Sequence, residues 1–242
     1  MKKRLWKTIF AILFLLPVCA NATDKTFTTS GTIVDGNVYG SVYVQNDGTI
    51  VDMSGGQITN WLGTRDTSIF NMSGGLISGF INIDYLSSFN VSGGTITVSS
   101  DFVVYGSANI SGGNITAGRL KTYPAAFNPV TPASVVDING GSLNFNIFDI
   151  HGEVNIYRGL LDVNDSWIGG WGNDQASINV YGHDFNYDSY TRILTGHLLD
   201  NNPFIIKGVD ASEYTRFNLI PEPISLLLFG FGLLAVRLQR IN

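Results

Sequence analysis

One cysteine, Cys19, occurs in 242 residues, and it sits in an apolar stretch near the N-terminus. The rest of the chain therefore has no thiol for a disulfide or a thiolate metal site. An oxidising compartment is permitted, but stability there must come from packing and hydrogen bonding. Histidine is scarce as well, and His151, His183 and His197 show no metal-ligand spacing. Charged residues make up only 14% of the chain. No segment of the body combines a long 3.6-residue period with helix caps. There is no G-x-S-x-G, H-E-x-x-H or phosphate-binding loop. These absences argue against a helical domain and against the common hydrolase and nucleotide-binding classes. They predict no cofactor and no metal.

The two ends are unlike the middle. Lys2, Lys3, Arg4 and Lys7 precede an apolar run, Ile9 to Val18, and Ala20-Asn21-Ala22 follows. A basic region, a short greasy core and a small-x-small site are the marks of a secretory signal peptide. Residues 1–22 are thus predicted to be removed by signal peptidase after export through the Sec machinery, with Thr23 first in the mature chain. Acylation of Cys19 is the alternative, but lipoprotein processing wants a small residue before the cysteine, and Val18 is a poor one.

At the other end, Pro221-Glu222-Pro223 is followed at once by 13 apolar or small residues, Ile224 to Val236, and then by Arg237 and Arg240. Thirteen residues fall short of the ~20 of a comfortable spanning helix, although bilayer thinning and snorkelling allow a crossing. The positive-inside rule keeps Arg237 and Arg240 cytoplasmic and leaves the Pro-Glu-Pro on the outer face. This order and spacing resembles the C-terminal sorting signal of PEP-CTERM proteins. The resemblance covers residues 220–242 only. It implies export by a Gram-negative bacterium that makes extracellular polysaccharide. It further implies a transient stay in the inner membrane and processing by an exosortase-type membrane protease. A plain, uncut C-terminal anchor is the alternative.

Between the ends, 8 basic and 18 acidic residues remain, a net charge near −10. Such a surface disfavours nucleic acid and anionic membranes and suits cations or neutral sugars. The body also repeats. Val51-Asp-Met-Ser-Gly-Gly, Phe70-Asn-Met-Ser-Gly-Gly, Phe89-Asn-Val-Ser-Gly-Gly and Ala108-Asn-Ile-Ser-Gly-Gly place Gly55, Gly74, Gly93 and Gly112 at intervals of 19 residues. A fifth unit begins at Val136. Decayed copies follow at Val154 and Ile178, and a weaker first copy lies within Thr32 to Val44. A fixed period near 20 predicts a solenoid. Within a unit, in-out alternation gives strands and the paired glycines give corners. The fold class is therefore all-β, a parallel β-helix (β-solenoid) over residues 23–190 with coils of ~19 residues.

Coils ~4.8 Å apart stack equivalent side chains into ladders, and seven or eight coils make a rod about 35–40 Å long. One inward ladder is Met53, Met72, Val91, Ile110, Ile138, Ile156 and Val180. A second is Ile58, Ile77, Ile96, Ile115, Leu143, Leu161 and Phe185. Phe80, Ile81, Phe102 and Val103 belong to a third apolar patch. Asp52, Asn71, Asn90, Asn109, Asp137, Asn155 and Asn179 form a polar ladder, whose amides can hydrogen-bond along the axis. The insertion 117–135 holds Pro124, Pro129 and Pro132 and reads as a loop. Residues 191–219 read as a cap over the open end; Leu194 to Phe204 loosely resembles the segment that often precedes the sorting signal in PEP-CTERM proteins.

Parallel β-helices include polysaccharide lyases and hydrolases, and a glycosidase needs two carboxylates within ~5–9.5 Å. Asp149, His151 and Glu153 alternate on one short stretch, and Asp162 and Asp165 lie near Trp167 and Trp171. These five residues are the candidate catalytic group; a solvated strand face beside a corner is the plainer account. Trp61, Trp167, Trp171, Tyr187 and Tyr190 are candidate sugar platforms. Calcium-binding nonapeptide repeats are absent, and the Asn-x-Ser/Thr sequences at Asn71, Asn90, Asn109 and Asn114 follow from the repeat itself. The reading is an exported structural or adhesive protein of an extracellular polysaccharide or biofilm matrix. A carbohydrate-active enzyme is the alternative, and a surface-layer module that polymerises end to end is a third.

Overall fold

The computed structural model describes residues 22–124, 133–169 and 176–222. The signal-peptide core, Pro129, Pro132, Trp171, Pro223 and the apolar run with Arg237 and Arg240 lie outside the described residues. No described helix is long and apolar enough to cross a membrane.

The strands follow in order: β1 (Thr23–Phe27), β2 (Gly31–Ile33), β3 (Val38–Val44), β4 (Ile50–Met53), β5 (Gln57–Thr64), β6 (Ile69–Met72), β7 (Leu76–Ile77), β8 (Phe80–Ile83) and β9 (Ser88–Val91). Then come β10 (Thr95–Val104), β11 (Ser107–Ile110), β12 (Asn114–Thr122), β13 (Val135–Ile150), β14 (Glu153–Ile168) and β15 (Ser177–Asp188). The chain ends on β16 (Ile193–Leu198), β17 (Pro203–Lys207), the helix α1 (Ala211–Tyr214) and β18 (Phe217–Pro221). From β1 to β15 each strand pairs in parallel with the strand one coil away, and the result is a parallel β-solenoid of about seven coils. Each coil has three faces, and β13 and β14 run around all of them without interruption.

Register confirms the first ladder: Met53 pairs with Met72, Met72 with Val91, Ile110 with Val91 and Ile138, and Ile156 with Ile138 and Val180. All seven are buried. Thr32 and Ile33 extend this face backwards by pairing with Asp52 and Met53, so the weak first copy is a true coil. Fully burying one such aliphatic side chain contributes roughly 2 kcal/mol, and the ladder multiplies that along the axis.

The second ladder needs one correction. It runs from Ile58 to Leu161 as expected, but Leu161 pairs with Phe204, not Phe185. After Val180 the chain leaves the coil and enters an antiparallel hairpin, in which His183 faces His197 and Tyr187 faces Leu194. Strand β17 then returns to the vacated position, and Phe185, partly buried, packs against the core with its ring 6.2 Å from that of Phe204. Phe80 likewise turns outward, onto Trp61 at 4.5 Å, while Ile81 and Ile83 fill the core.

Corners follow from the glycine pairs. At Gly93-Gly94 the second glycine has φ +86°, a left-handed conformation that side chains resist. Several corners are buried and polar: Ser68 donates to the Val44 carbonyl, and Ser134 Oγ accepts the Tyr123 amide. These hydroxyls satisfy backbone groups that the coil turns inward.

The cap completes the rod. Strand β17 continues the ladder beside β14 and β18 continues it beside β15. Glu213 of α1 accepts hydrogen bonds from the Ile168 amide at 3.0 Å and from Ser166 Oγ at 3.3 Å. An edge that would otherwise expose donors is thereby covered.

Candidate functional site

Where the third face turns back to the first, three successive coils each place a tyrosine. The rings of Tyr85 and Tyr105 are 5.0 Å apart, and those of Tyr105 and Tyr123 stack at 4.1 Å. Lys121 Nζ lies 5.0 Å from the Tyr123 ring centre. These residues, with Asn82, Asp84 and His151, line a cleft of ≈ 600 Å³. Burial first, and then the hydrogen bond with Tyr123, push the Tyr105 phenol up to about 12. Burial also raises Tyr85. Tyr85 and Tyr105 thus keep their phenol protons at any physiological pH.

Behind the cleft lies a partly buried ionic network. Asp149 Oδ1 meets His151 Nε2 at 2.8 Å, while Asp149 Oδ2 meets Arg119 at 3.2 Å and Lys121 at 3.5 Å. Arg119 also reaches Asp101 at 3.4 Å and lies 5.5 Å from the ring of Trp167. Burial alone would raise the Asp149 carboxyl. The His151 hydrogen bond, Lys121 and Arg119 outweigh it and hold the group below its ordinary value. Thr122 Oγ1 accepts the amides of both His151 and Gly152 at 2.9 Å, which fixes the corner that carries His151.

The five candidate residues do not converge. Asp149 and His151 are in contact, but the corner at Gly152 sends Glu153 to another face, where it accepts from Asn179 at 3.3 Å. Asp162 lies 3.6 Å from Lys207 and borders a second groove. Asp165 caps the amide of Ser166 at 3.0 Å. Among the candidate platforms, Trp61 stacks on Phe80 and Tyr187 stacks on Tyr214 at 4.1 Å, both as packing. Trp167 is half-exposed under Arg119, and Tyr190 stands in solvent. The tyrosine cleft escaped the sequence reading. Its signal was present, an aromatic at intervals of 20 and 18 residues, but no repeat unit contains it.

The second groove, ≈ 560 Å³, lies beside the antiparallel hairpin, and Asp162, Asp184 and His197 border it. Here the pairing of β15 with β16 sets His183 opposite His197, a proximity that 14 residues of sequence separation conceal. The rings are parallel at 5.4 Å, and Asp184 Oδ2 lies 3.0 Å from His183 Nδ1 and 3.8 Å from His197 Nδ1. Hydrogen bonds to Asn201 and Asp184 raise the His183 imidazole.

The PEP-CTERM protein-sorting motif matches residues 219–240. The match spans the tail alone and includes Pro221, Glu222, Pro223, Arg237 and Arg240. No curated protein and no solved structure matches the chain. The chain carries a PEP-CTERM sorting motif on a parallel β-solenoid. The motif implies an exosortase-targeted secreted protein, placed at the cell surface or outside the cell.

Proposed function

We propose that the exported solenoid is a non-catalytic adhesive or structural rod of an extracellular polysaccharide or biofilm matrix, and that the tyrosine cleft is where it holds sugar chains. The observation that carries this reading is the Tyr85–Tyr105–Tyr123 stack with Lys121 beside it. The rings cover one another's faces, so their edges and phenol hydroxyls are what is left for a sugar, and phenol hydroxyls bond sugar hydroxyls. A stack that climbs the rod suits a polymer, because successive residues of a chain can meet successive coils. Export through the Sec machinery from a Gram-negative cell, signal-peptidase cleavage after Ala22 and exosortase processing near Pro221-Glu222-Pro223 complete the proposal. The inner membrane is then only a transient station.

The test is co-sedimentation of the full chain in detergent with a hexuronate polymer and with a neutral glucan. Saturable binding of either polymer, weakened at least tenfold by Tyr105→Ala, supports the reading. Binding that ignores Tyr105→Ala removes the cleft from it.

A carbohydrate-active enzyme is the second reading, favoured by the Asp149–His151 contact at 2.8 Å on the wall of the same cleft. It requires that the protein shorten the bound polymer and that Asp149→Ala stop this. Polymer of constant length after prolonged incubation would dismiss it.

A further inference from the structure

We propose that His183, Asp184 and His197 form a binding site for a borderline-soft divalent cation of the Zn²⁺ type at the edge of the second groove. Among the described residues this is the group whose ligand atoms converge, with one atom from each residue within 4.8 Å of the others. Two imidazoles and a carboxylate are the donor set that such ions prefer.

Three further observations point the same way. First, His183 Nε2 lies 3.0 Å from Asn201 Oδ1. An amide oxygen only accepts, so Nε2 carries a proton and, in the neutral imidazole, Nδ1 offers its lone pair. Asp184 Oδ2 lies 3.0 Å from that nitrogen, close enough for one ion to take both. The Asn201 contact is the outer-shell hydrogen bond that metal-ligating histidines use to fix tautomer and ring orientation.

Second, His197 Nδ1 is shielded from solvent and has no hydrogen-bond partner among the described residues. It lies 3.8 Å from Asp184 Oδ2, too far for a hydrogen bond and suited to a shared ion. Third, the backbone turns sharply at this place. Asp184 has φ 54° and Asn201 φ 60°, left-handed at two residues other than glycine. The pairing of β15 with β16 slips between His183 and Asn186. A bulge of this kind re-aims a side chain, and here it turns Asp184 into the space between two histidines.

Three protein ligands leave a position open toward the groove for water or an oxygen ligand. The ion would tie the hairpin to the loop that carries Asn201. The proposal is independent of the polysaccharide reading.

The experiment is calorimetric titration of the untagged full chain in detergent with zinc sulfate, followed by Co²⁺ absorption spectroscopy. The expected result is one Zn²⁺ per chain with micromolar or tighter affinity, and visible Co²⁺ bands of nitrogen and oxygen ligation. His197→Gln and Asp184→Asn should each weaken binding at least tenfold. Asn201→Ala, which removes only the outer hydrogen bond, should weaken it to a smaller degree. Asp162→Asn, in the same groove but outside the cluster, should leave it unchanged. Far-UV circular dichroism checks that each variant keeps its fold. Absence of a saturable one-equivalent site overturns the proposal and makes the cluster a doubly protonated His183 clamped by Asp184. Zinc affinity equal in His197→Gln and the parent chain overturns it too.

Discussion

A Cβ on Gly93 would lie 2.5 Å from the carbonyl oxygen of Ser73, one coil earlier. The glycine next to it, Gly94, has φ +86° and would press a Cβ against Met72 Cε at 2.6 Å and the Gly74 carbonyl carbon at 2.9 Å. The two glycines of a pair thus do different work. The first lets the backbones of adjacent coils approach at the corner, and the second lets the chain turn.

Gly93→Ala and Gly94→Ala should each destabilise the solenoid by about 3 kcal/mol, through a backbone clash and through left-handed strain plus a clash. Gly36 is the control. It has φ +86° but open space around it, so Gly36→Ala should cost only the conformational strain, about 1–2 kcal/mol. Thermal unfolding followed by circular dichroism ranks the three. Equal losses at Gly36 and Gly94 would mean that corner contact between coils contributes nothing.

The polar ladder has direction. Asn90 Nδ2 donates to Asn71 Oδ1 and Asn71 Nδ2 donates to Asp52 Oδ1, both at 2.8 Å. In the later coils Asn218 donates to Asn179, Asn179 to Asn155 and Asn155 to Asp137, at 2.7, 2.7 and 2.9 Å. Each run ends on an aspartate because the last member need only accept, and a carboxylate accepts more strongly than an amide. Asn71→Ala removes one donated and one accepted bond and should cost about 2 kcal/mol, against about 1 kcal/mol for Asn90→Ala. The double variant should cost less than the two losses combined, since both contain the same bond. Urea unfolding of the four chains measures the difference, and strict additivity would show that the ladder is not coupled.

The ladders were legible from sequence because a solenoid converts a linear period into a spatial one. Met53 and Met72 are neighbours simply because they are 19 residues apart. That logic ends where the period ends. Phe185 left the ladder because β15 turns into an antiparallel hairpin, and no periodic pattern marks the change at Gly182. The same turn created the His183–His197 approach, which depends on hairpin register rather than on spacing. Asp149 and His151 were found together because they share a corner. Glu153 stands apart from them because in-out alternation does not carry across Gly152. The tyrosine cleft was missed for a different reason: Tyr85, Tyr105 and Tyr123 stand at corners, where coil length varies and the interval drifts from 20 to 18.

Tyr105 and Tyr157 have phenols pushed up to about 12, by burial and by their stacked neighbours Tyr123 and Tyr181. In the unfolded chain a phenol ionises near 10. The folded state therefore holds protons that the unfolded state has lost, and stability should fall as pH rises from about 10 to 12. Absorbance at the phenolate band should show late-titrating groups in the folded protein, and one fewer of them in Tyr105→Phe. Ionisation of all tyrosines near pH 10 while the fold is intact would contradict the packing of the stack.

Asp149 provides the acid counterpart. Its carboxyl is depressed because His151, Lys121 and Arg119 stabilise the charged form more than burial opposes it. A depressed carboxyl contributes stability above its unfolded value, near 3.9, and loses that contribution as pH falls through the folded value. Asp149→Asn keeps the shape but removes the charge, leaving Arg119 and Lys121 without their shared carboxylate. At neutral pH this should cost about 2 kcal/mol, in the range of hydrogen bonds to charged groups. The gap between the parent chain and the variant should shrink as pH falls below about 4, where the unfolded aspartate takes up its proton before the folded one does. Urea unfolding across that range gives the gap directly. A gap of equal size at pH 7 and at pH 2.5 would mean that the cost of the substitution is steric, and that the ionic network behind the cleft does not hold the corner in place.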